Sequence, residues 1–182
     1  MDSSNASFND IVNSNKSRVF NTAISFLQNR EDAEDITQDV FIEVYHSLEK
    51  FKQQSSISTW IYRITVNKSL DFLRKKNRRK EYGFIRNLFY KESGEINLDK
   101  GHFDHPGVLL EKKENARILF AAIELLSENQ KTAFILFHVE ELSQKEIAEV
   151  MGTSPKAVES LIQRAKATLR EILENLYKNR GI

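Results

Sequence analysis

Apolar residues in this chain recur mostly at intervals of three and four, the spacing of one face of an α-helix, and no sustained alternation of apolar and polar positions suggests a strand. Residues 8–29 are weakly amphipathic and read as a helix. Residues 31–50, EDAEDITQDVFIEVYHSLEK, read more clearly: Ala33, Ile36, Val40 and Val44, with Phe51 just beyond, fall on one side. A third helix is predicted over 57–79. Ile57, Ile61, Ile64 and Phe72 share one side, while Val66, Leu70 and Leu73 lie on others, so this helix should be covered from more than one direction.

The pattern then breaks. Residues 81–112 show no sustained period and hold four of the six glycines and one of the two prolines. A structureless stretch of this length reads as a linker or a functional loop. Phe84, Ile85, Leu88 and Phe89 within it leave room for a short helix. Periodicity resumes near Lys113, where Ile118, Ala121, Ala122 and Leu125 predict an inward face on a helix ending at about Leu126. Ser127 with Gln130, and Ser143 with Glu146, have the spacing of capping boxes, and Leu142 with Ile147 fits a hydrophobic staple around the second. The last helix opens at Pro155, a residue suited to the first helical position, which makes Ser154 its N-cap. The expectation is an all-α chain of two small helical domains, 1–80 and 113–182, joined by a flexible linker over 81–112.

The sequence LSQKEIAEVMGTSPKAVESLIQRAK sharpens this picture. Small or apolar residues at Ile147, Ala148, Met151, Gly152, Val158 and Leu161 suit two helices crossing steeply through a tight turn, with Gly152 where a positive φ is needed. This is the pattern of a helix-turn-helix. Val158, Leu161, Ile162, Ala165 and Leu169 share the inner side of the second helix; Lys156, Glu159, Ser160, Gln163 and Arg164 lie opposite. Those outward side chains can read base edges or hold phosphates. Thr153, Ser154 and the backbone N–H groups at the helix start can bind a phosphate. The alternative is an ordinary helical hairpin with a solvated polar face, so a second nucleic-acid feature would decide.

Charge distribution supplies one. The formal net charge is only +1, but residues 31–49 contain seven acidic residues and no Lys or Arg, whereas six of the seven residues 74–80 are basic. Separate acidic and basic runs imply two kinds of partner. The basic run follows FKQQSSISTWIYRITVNKSLDFL, in which Trp60, Tyr62 and Phe72 accompany Arg63, Asn67 and Arg74 on one helix. Aromatics beside cations are what single-stranded nucleic acid needs, with bases on rings and phosphates on Lys and Arg. Tyr62 and Phe72 read better as core residues, and the run 75–80, including Lys75, Lys76 and Arg78, as phosphate contacts. Asp35, Asp39 and Glu43 form a carboxylate stripe at i, i+4, i+8, with Ile42 beside it. Such a stripe suits a basic, partly apolar partner, but by itself it reads better as a solvated face.

An enzyme is not expected. The chain has no Cys, which removes disulfides, thiol nucleophiles and cysteine-ligated metals. Its four His are scattered, and no Gly-rich phosphate loop or nucleophile setting is present. His102, Asp104 and His105 in the linker are a weak candidate for a metal site, and no cofactor or metal is expected. The N-terminal MDSSNASFND lacks the character of a signal peptide and no apolar run is long enough to span a membrane, so a cytoplasmic protein is expected.

NREDAEDITQDVFIEVYHSLEKF with ISTWIYRITVNKSLDFLRKKNRR resembles sigma region 2, and LLSENQKTAFILFHVEELSQKEIAEVMGTSPKAVESLIQRAKATLRE resembles sigma region 4. Together, in this order, they resemble the extracytoplasmic-function group of the bacterial sigma-70 family, and there is no room for region 3 or a large region 1. The resemblance implies a transcription initiation factor that binds core RNA polymerase and promoter DNA at the nucleoid. It implies docking of Asp35, Asp39, Ile42 and Glu43 on the coiled coil of the largest polymerase subunit, with the flap as a second polymerase contact. It implies capture of a flipped −10 base by the loop 52–58, with Asn67 lining that contact and the helix from Trp60 to Arg74 holding the melted strand. The outward face from Thr153 to Arg164 would read the −35 element, led by Ser160 and Arg164. Many relatives carry Arg or Lys near Glu159 and Leu161, and this chain has neither there. Glu159 can accept from cytosine N4 but repels phosphate. The linker would let two weak sites act with avidity. An anti-sigma factor is the usual regulator of such proteins. The runner-up is a helix-turn-helix regulator that is not a sigma subunit, which would leave the acidic stripe and the aromatic–basic helix without a role. A partner-binding protein that never touches DNA would leave the basic run unexplained.

Overall fold

The computed structural model describes residues 3–51, 55–88 and 113–179. These form seven α-helices and one 3₁₀ turn, with no strand among the described residues. The first unit contains α1 (Ser3–Leu27), α2 (Arg30–Ser47) and α3 (Ile57–Leu88). The second contains α4 (Lys113–Glu124), α5 (Glu128–His138), α6 (Gln144–Met151) and α7 (Pro155–Asn179).

The turn between α1 and α2 is built from two residues. Gln28 takes a left-handed φ of 52°, and its side-chain amide donates to the Ile24 and Ser25 carbonyls at 3.1 and 2.7 Å, closing the end of α1. Asn29 then caps α2 by accepting from the Asp32 N–H at 2.9 Å. The hairpin buries Ala23, Ile24 and Phe26 of α1 against Ala33, Val40 and Val44 of α2, each at most 1 % exposed. Burying a side chain the size of Phe26 or Ile24 contributes roughly 1.5–3 kcal/mol. Three buried hydroxyls are met locally: Thr22, Thr37 and Thr65 each donate to the carbonyl four residues back, at 2.7 to 2.9 Å.

α3 packs on both α1 and α2, and α6 of the second unit lies on it as well. This explains why its apolar residues occupy several faces: Ile61 and Val66 are buried, while Ile57, Ile64, Leu70, Phe72 and Leu73 are partly covered. The helix continues to Leu88, past the expected end at residue 79, so Phe84, Ile85 and Leu88 extend α3 rather than starting a separate short helix. Phe89 and the rest of the expected linker lie outside the described residues.

Two expected faces need correction. α2 stops at Ser47 and a 3₁₀ turn over Leu48–Lys50 follows. Phe51 is therefore off the α2 face, and its ring packs on Trp60 with centroids 4.9 Å apart. Leu125, expected inside, is 69 % exposed, whereas Phe120, Ala122, Ile123 and Leu126 are buried. After Glu124 the backbone tightens to i→i−3 bonds, Leu125 to Ala122 and Leu126 to Ile123, both 3.1 Å. The inward face of α4 is the one carrying Phe120 and Ile123, out of phase with the expected face, and at about 100° per residue Leu125 lies on its far side. Lys131, only 6 % exposed, ties α5 to α4 through Glu124 at 2.9 Å.

Candidate functional site

The C-terminal hairpin is specified by its caps. Ser143 accepts from the Glu146 N–H at 3.3 Å, and Glu146 accepts from the Ser143 N–H and hydroxyl at 2.9 and 2.7 Å. These bonds hold the Glu146 carboxyl below its ordinary pKa. At the other end, Gly152 has φ +65° and Thr153 N–H reaches the Ala148 carbonyl at 2.9 Å. Ser154 then accepts from the Ala157 N–H at 3.2 Å, and Pro155 starts α7. The α5 start is closed by Gln130, which accepts from the Ser127 N–H and hydroxyl at 3.2 and 2.9 Å. Space is open where a Gly152 Cβ would sit, so a side chain there meets only backbone strain. Gly152→Ala is expected to lower stability by about 1–2 kcal/mol, read as an earlier urea midpoint with unchanged slope. An unchanged midpoint would contradict this account of the turn.

α7 divides as its periodicity predicts. Val158, Ile162, Ala165 and Leu169 are buried at 4 % exposure or less, with Leu161 partly covered. Thr153, Ser154, Lys156, Glu159, Ser160, Gln163 and Arg164 are all exposed. The Arg164 Nε–H donates to the Ser160 carbonyl at 3.2 Å, which holds its stem along the helix with the guanidinium still exposed.

On α3, Arg63, Asn67, Arg74, Lys75 and Arg78 are exposed and Trp60 is partly covered. Tyr62 is buried, as expected of a core residue. Lys76 is half-covered and bonds Asp32 of α2 at 2.7 Å, with Phe72 beneath it, so this member of the basic run is committed within the unit. Lys52 and the two residues after it lie outside the described residues, so the capture loop is seen only from Ser55 onward.

The stripe on α2 is presented to solvent. Asp35, Asp39 and Glu43 are exposed, Glu43 with Lys68 at 3.8 Å. Ile42 is 56 % exposed. Sequence reasoning missed Tyr45, which is 54 % exposed one helical step beyond Ile42 and packs edge-on to Phe8 at 5.1 Å. An apolar residue three positions after Ile42 was the available signal. Two large apolar side chains thus stand exposed beside carboxylates on one helix face.

Polar contacts also join the two units. Glu140, in the turn after α5, accepts from the Tyr62 hydroxyl at 3.3 Å. Burial raises the Tyr62 pKa well above its usual value, and the neighbouring Glu140 charge adds to it. Burial likewise raises Glu140, opposed by the nearby Thr22 hydroxyl, the Tyr62 hydrogen bond and the Arg18 charge. The Arg63 guanidinium donates to the Glu149 carbonyl of α6. Arg74 forms a two-pronged pair with Glu128 at the start of α5, its Nε–Oε2 distance 2.9 Å, and also bonds Asp71 at 2.7 Å.

Among the described residues no cluster of His, Asp or Glu could hold a metal ion, and no helix is long and apolar enough to cross a membrane. His102, Asp104 and His105 lie outside those residues.

Comparison with known proteins matches the sigma-70 region 2 model over residues 11–79 and the sigma-70 region 4 model over residues 116–169. The chain is 35 % identical to the ECF RNA polymerase sigma-E factor of Haemophilus influenzae, the match covering 87 % of each chain. It is 30 % identical to the ECF RNA polymerase sigma factor SigW of Bacillus subtilis, over 93 % of this chain and 90 % of that one. Its fold is similar to the sigma factor RpoE solved with the anti-sigma factor NepR from Bartonella quintana (TM-score 0.65, 23 % identity, 92 % of this chain and 97 % of that one). It is also similar to CnrH solved with the cytosolic domain of CnrY (TM-score 0.64, 24 % identity, 94 % and 90 %). With both domain models matched in order and relatives aligned over nearly their full length, this chain belongs to the ECF group of sigma-70 family RNA polymerase sigma factors.

Proposed function

We propose that this protein binds core RNA polymerase in the cytoplasm, at the nucleoid, and directs it to promoters carrying two recognition elements. The first unit docks on polymerase through Asp35, Asp39, Ile42 and Glu43, joined by Tyr45, and Asn67, Arg63, Arg74, Lys75 and Arg78 hold the melted −10 strand. The second unit reads the −35 duplex with the exposed side of α7. The observation that carries this reading is the pairing, in one chain, of an acidic α2 face tipped with exposed Ile42 and a helix-turn-helix whose second helix exposes Lys156, Glu159, Ser160, Gln163 and Arg164 on one side. A helix-turn-helix regulator has no use for the former. The test is co-elution with core RNA polymerase: a stable complex is expected, and a chain that elutes alone at micromolar concentration contradicts the reading. As sigma factors, the related proteins act in transcription initiation without catalysis of their own, and none of the proposed contacts here involves a catalytic group or a cofactor. An anti-sigma factor is a natural further partner, since the similar structures RpoE and CnrH were solved with NepR and with the cytosolic domain of CnrY.

A further inference from the structure

We infer that the groove between α1 and the start of α3 takes a second base of the melted strand, a guanine, held by the Asp10 carboxylate. The inference rests on the functional reading above, in which the loop 52–58 and α3 hold that strand, and it adds α1 to the strand-reading surface. The groove has a volume of about 390 Å³. One wall is a row on α1, with Asp10, Ser14 and Arg18 at i, i+4 and i+8. The other is Ile57 and Ser58, which begin α3 and end the capture loop. A strand leaving that loop therefore meets the groove directly. The two walls are fixed where they join. The Ser58 hydroxyl lies 3.5 Å from Asn15 Oδ1, and the Asn15 amide donates to the Ile11 carbonyl at 2.8 Å. Ser56 caps α3 by accepting from the Thr59 N–H at 3.0 Å. Asn15 is 5 % exposed, and behind it Val19, Ile61 and Tyr62 are buried. These side chains leave no room for a water between the helices, so the groove has a closed floor.

The chemistry of the groove matches an unpaired base. Ile11 and Ile57 are partly covered and offer apolar surface to the faces of a ring, while Asp10, Ser14 and Arg18 are exposed at the rim. Among the described residues the Asp10 carboxylate has no hydrogen-bond or ionic partner. A base taken out of a duplex is read along the edge that paired it, with its faces against aromatic or apolar side chains. An ionised carboxylate only accepts hydrogen bonds. Guanine presents two adjacent donors on that edge, N1–H and N2–H, and so meets both carboxylate oxygens. Cytosine and adenine present one amine beside a ring nitrogen that accepts, and the carboxylate repels that nitrogen. Thymine presents one N–H between two carbonyls, which are repelled likewise. Asp10 therefore selects guanine. Arg18 lies two α-helical steps of four further along α1, about 12 Å away, with its guanidinium 5.9 Å from the Tyr62 ring centroid. From there it meets the phosphate of a neighbouring nucleotide rather than the same base edge.

The experiment uses holoenzyme assembled from core RNA polymerase and the full chain. A single-stranded DNA pool of random sequence is bound, recovered and sequenced, with core alone as background. The native chain should enrich a short motif in which one position favours guanine about tenfold over any other base, the discrimination of a two-pronged base contact. Asp10→Ala should level that position and leave the rest of the motif intact. Asp10→Asn should move the preference at the same position to cytosine or adenine, because an amide offers an acceptor beside a donor. A merely structural role for Asp10 produces no such exchange of base. Glu171→Gln, exposed on α7, is the control and should return the native motif. One motif shared by the native chain and both Asp10 variants overturns the inference and leaves the strand-holding reading standing. Equal weakening of every sequence in the Asp10 variants overturns it too. A native chain that enriches no motif from single strands overturns that reading and the inference together.

Discussion

Core RNA polymerase should bind the Ile42→Asp variant about thirtyfold more weakly than the native chain, the loss of roughly 2 kcal/mol typical of an interface anchor. The folded protein itself should scarcely change, because Ile42 is 56 % exposed and its truncation opens no cavity. This combination of a large binding loss with an unchanged unfolding midpoint distinguishes a docking residue from a core residue. An Ile standing in water between Asp39 and Glu43 has no stabilising role that a Lys or Gln would not fill as well. Asp39→Lys should act differently. It removes one carboxylate from the stripe and relieves repulsion within α2, so affinity falls about tenfold, with the effect fading as salt rises, since exposed charges act mainly on the rate of encounter. If both variants bind core within about twofold of the native chain, the α2 face is a solvated surface.

The Arg164→Ala variant should lose about tenfold to a hundredfold in −35 duplex binding, the 1–3 kcal/mol of a base-edge contact, with core binding intact. The fold beneath Arg164 sets which way it faces. Val158, Ile162 and Ala165 fix the rotation of α7, and the Nε–H bond to the Ser160 carbonyl holds the side chain on the exposed side. If it reads guanine the loss is confined to duplexes with that base; if it holds a phosphate, all duplexes lose alike and the salt dependence becomes shallower by about one ion. Glu159 shares this face and repels the backbone, so discrimination rather than bulk affinity is its expected contribution. Equal loss of core binding and duplex binding in Arg164→Ala would contradict the division of labour between the two units.

Local chemistry made much of this molecule legible in advance. The box at Ser143 and Glu146, the left-handed Gly152 and the Ser154 cap are each set by residues within a few positions, and each forms as their side chains require. The two sides of α7 follow from period alone. The failures share a cause too. Leu125 was expected inside because the apolar residues of α4 allow two helical phases, and the one carrying Phe120 and Ile123 is the one that packs inward. Phe51 was placed on α2 because a 3₁₀ turn has no distinct apolar signature. Tyr45 went unnoticed because exposure of an aromatic is decided by which neighbours arrive. The contacts of Tyr62 with Glu140 and of Arg74 with Glu128 span 78 and 54 residues, and no spacing rule reaches across a linker. Spacing and charge therefore suggested residues for DNA contact, and only the fold showed that two of them, Arg63 and Arg74, bond to the other unit.

The most direct test of the central claim is transcription from a fragmented genomic library by purified core RNA polymerase, with and without this protein, with start sites mapped. The account predicts a defined set of starts that depend on the protein, each preceded by the same two short elements at a fixed separation. Core supplemented with the protein that initiates no differently from core alone would contradict it.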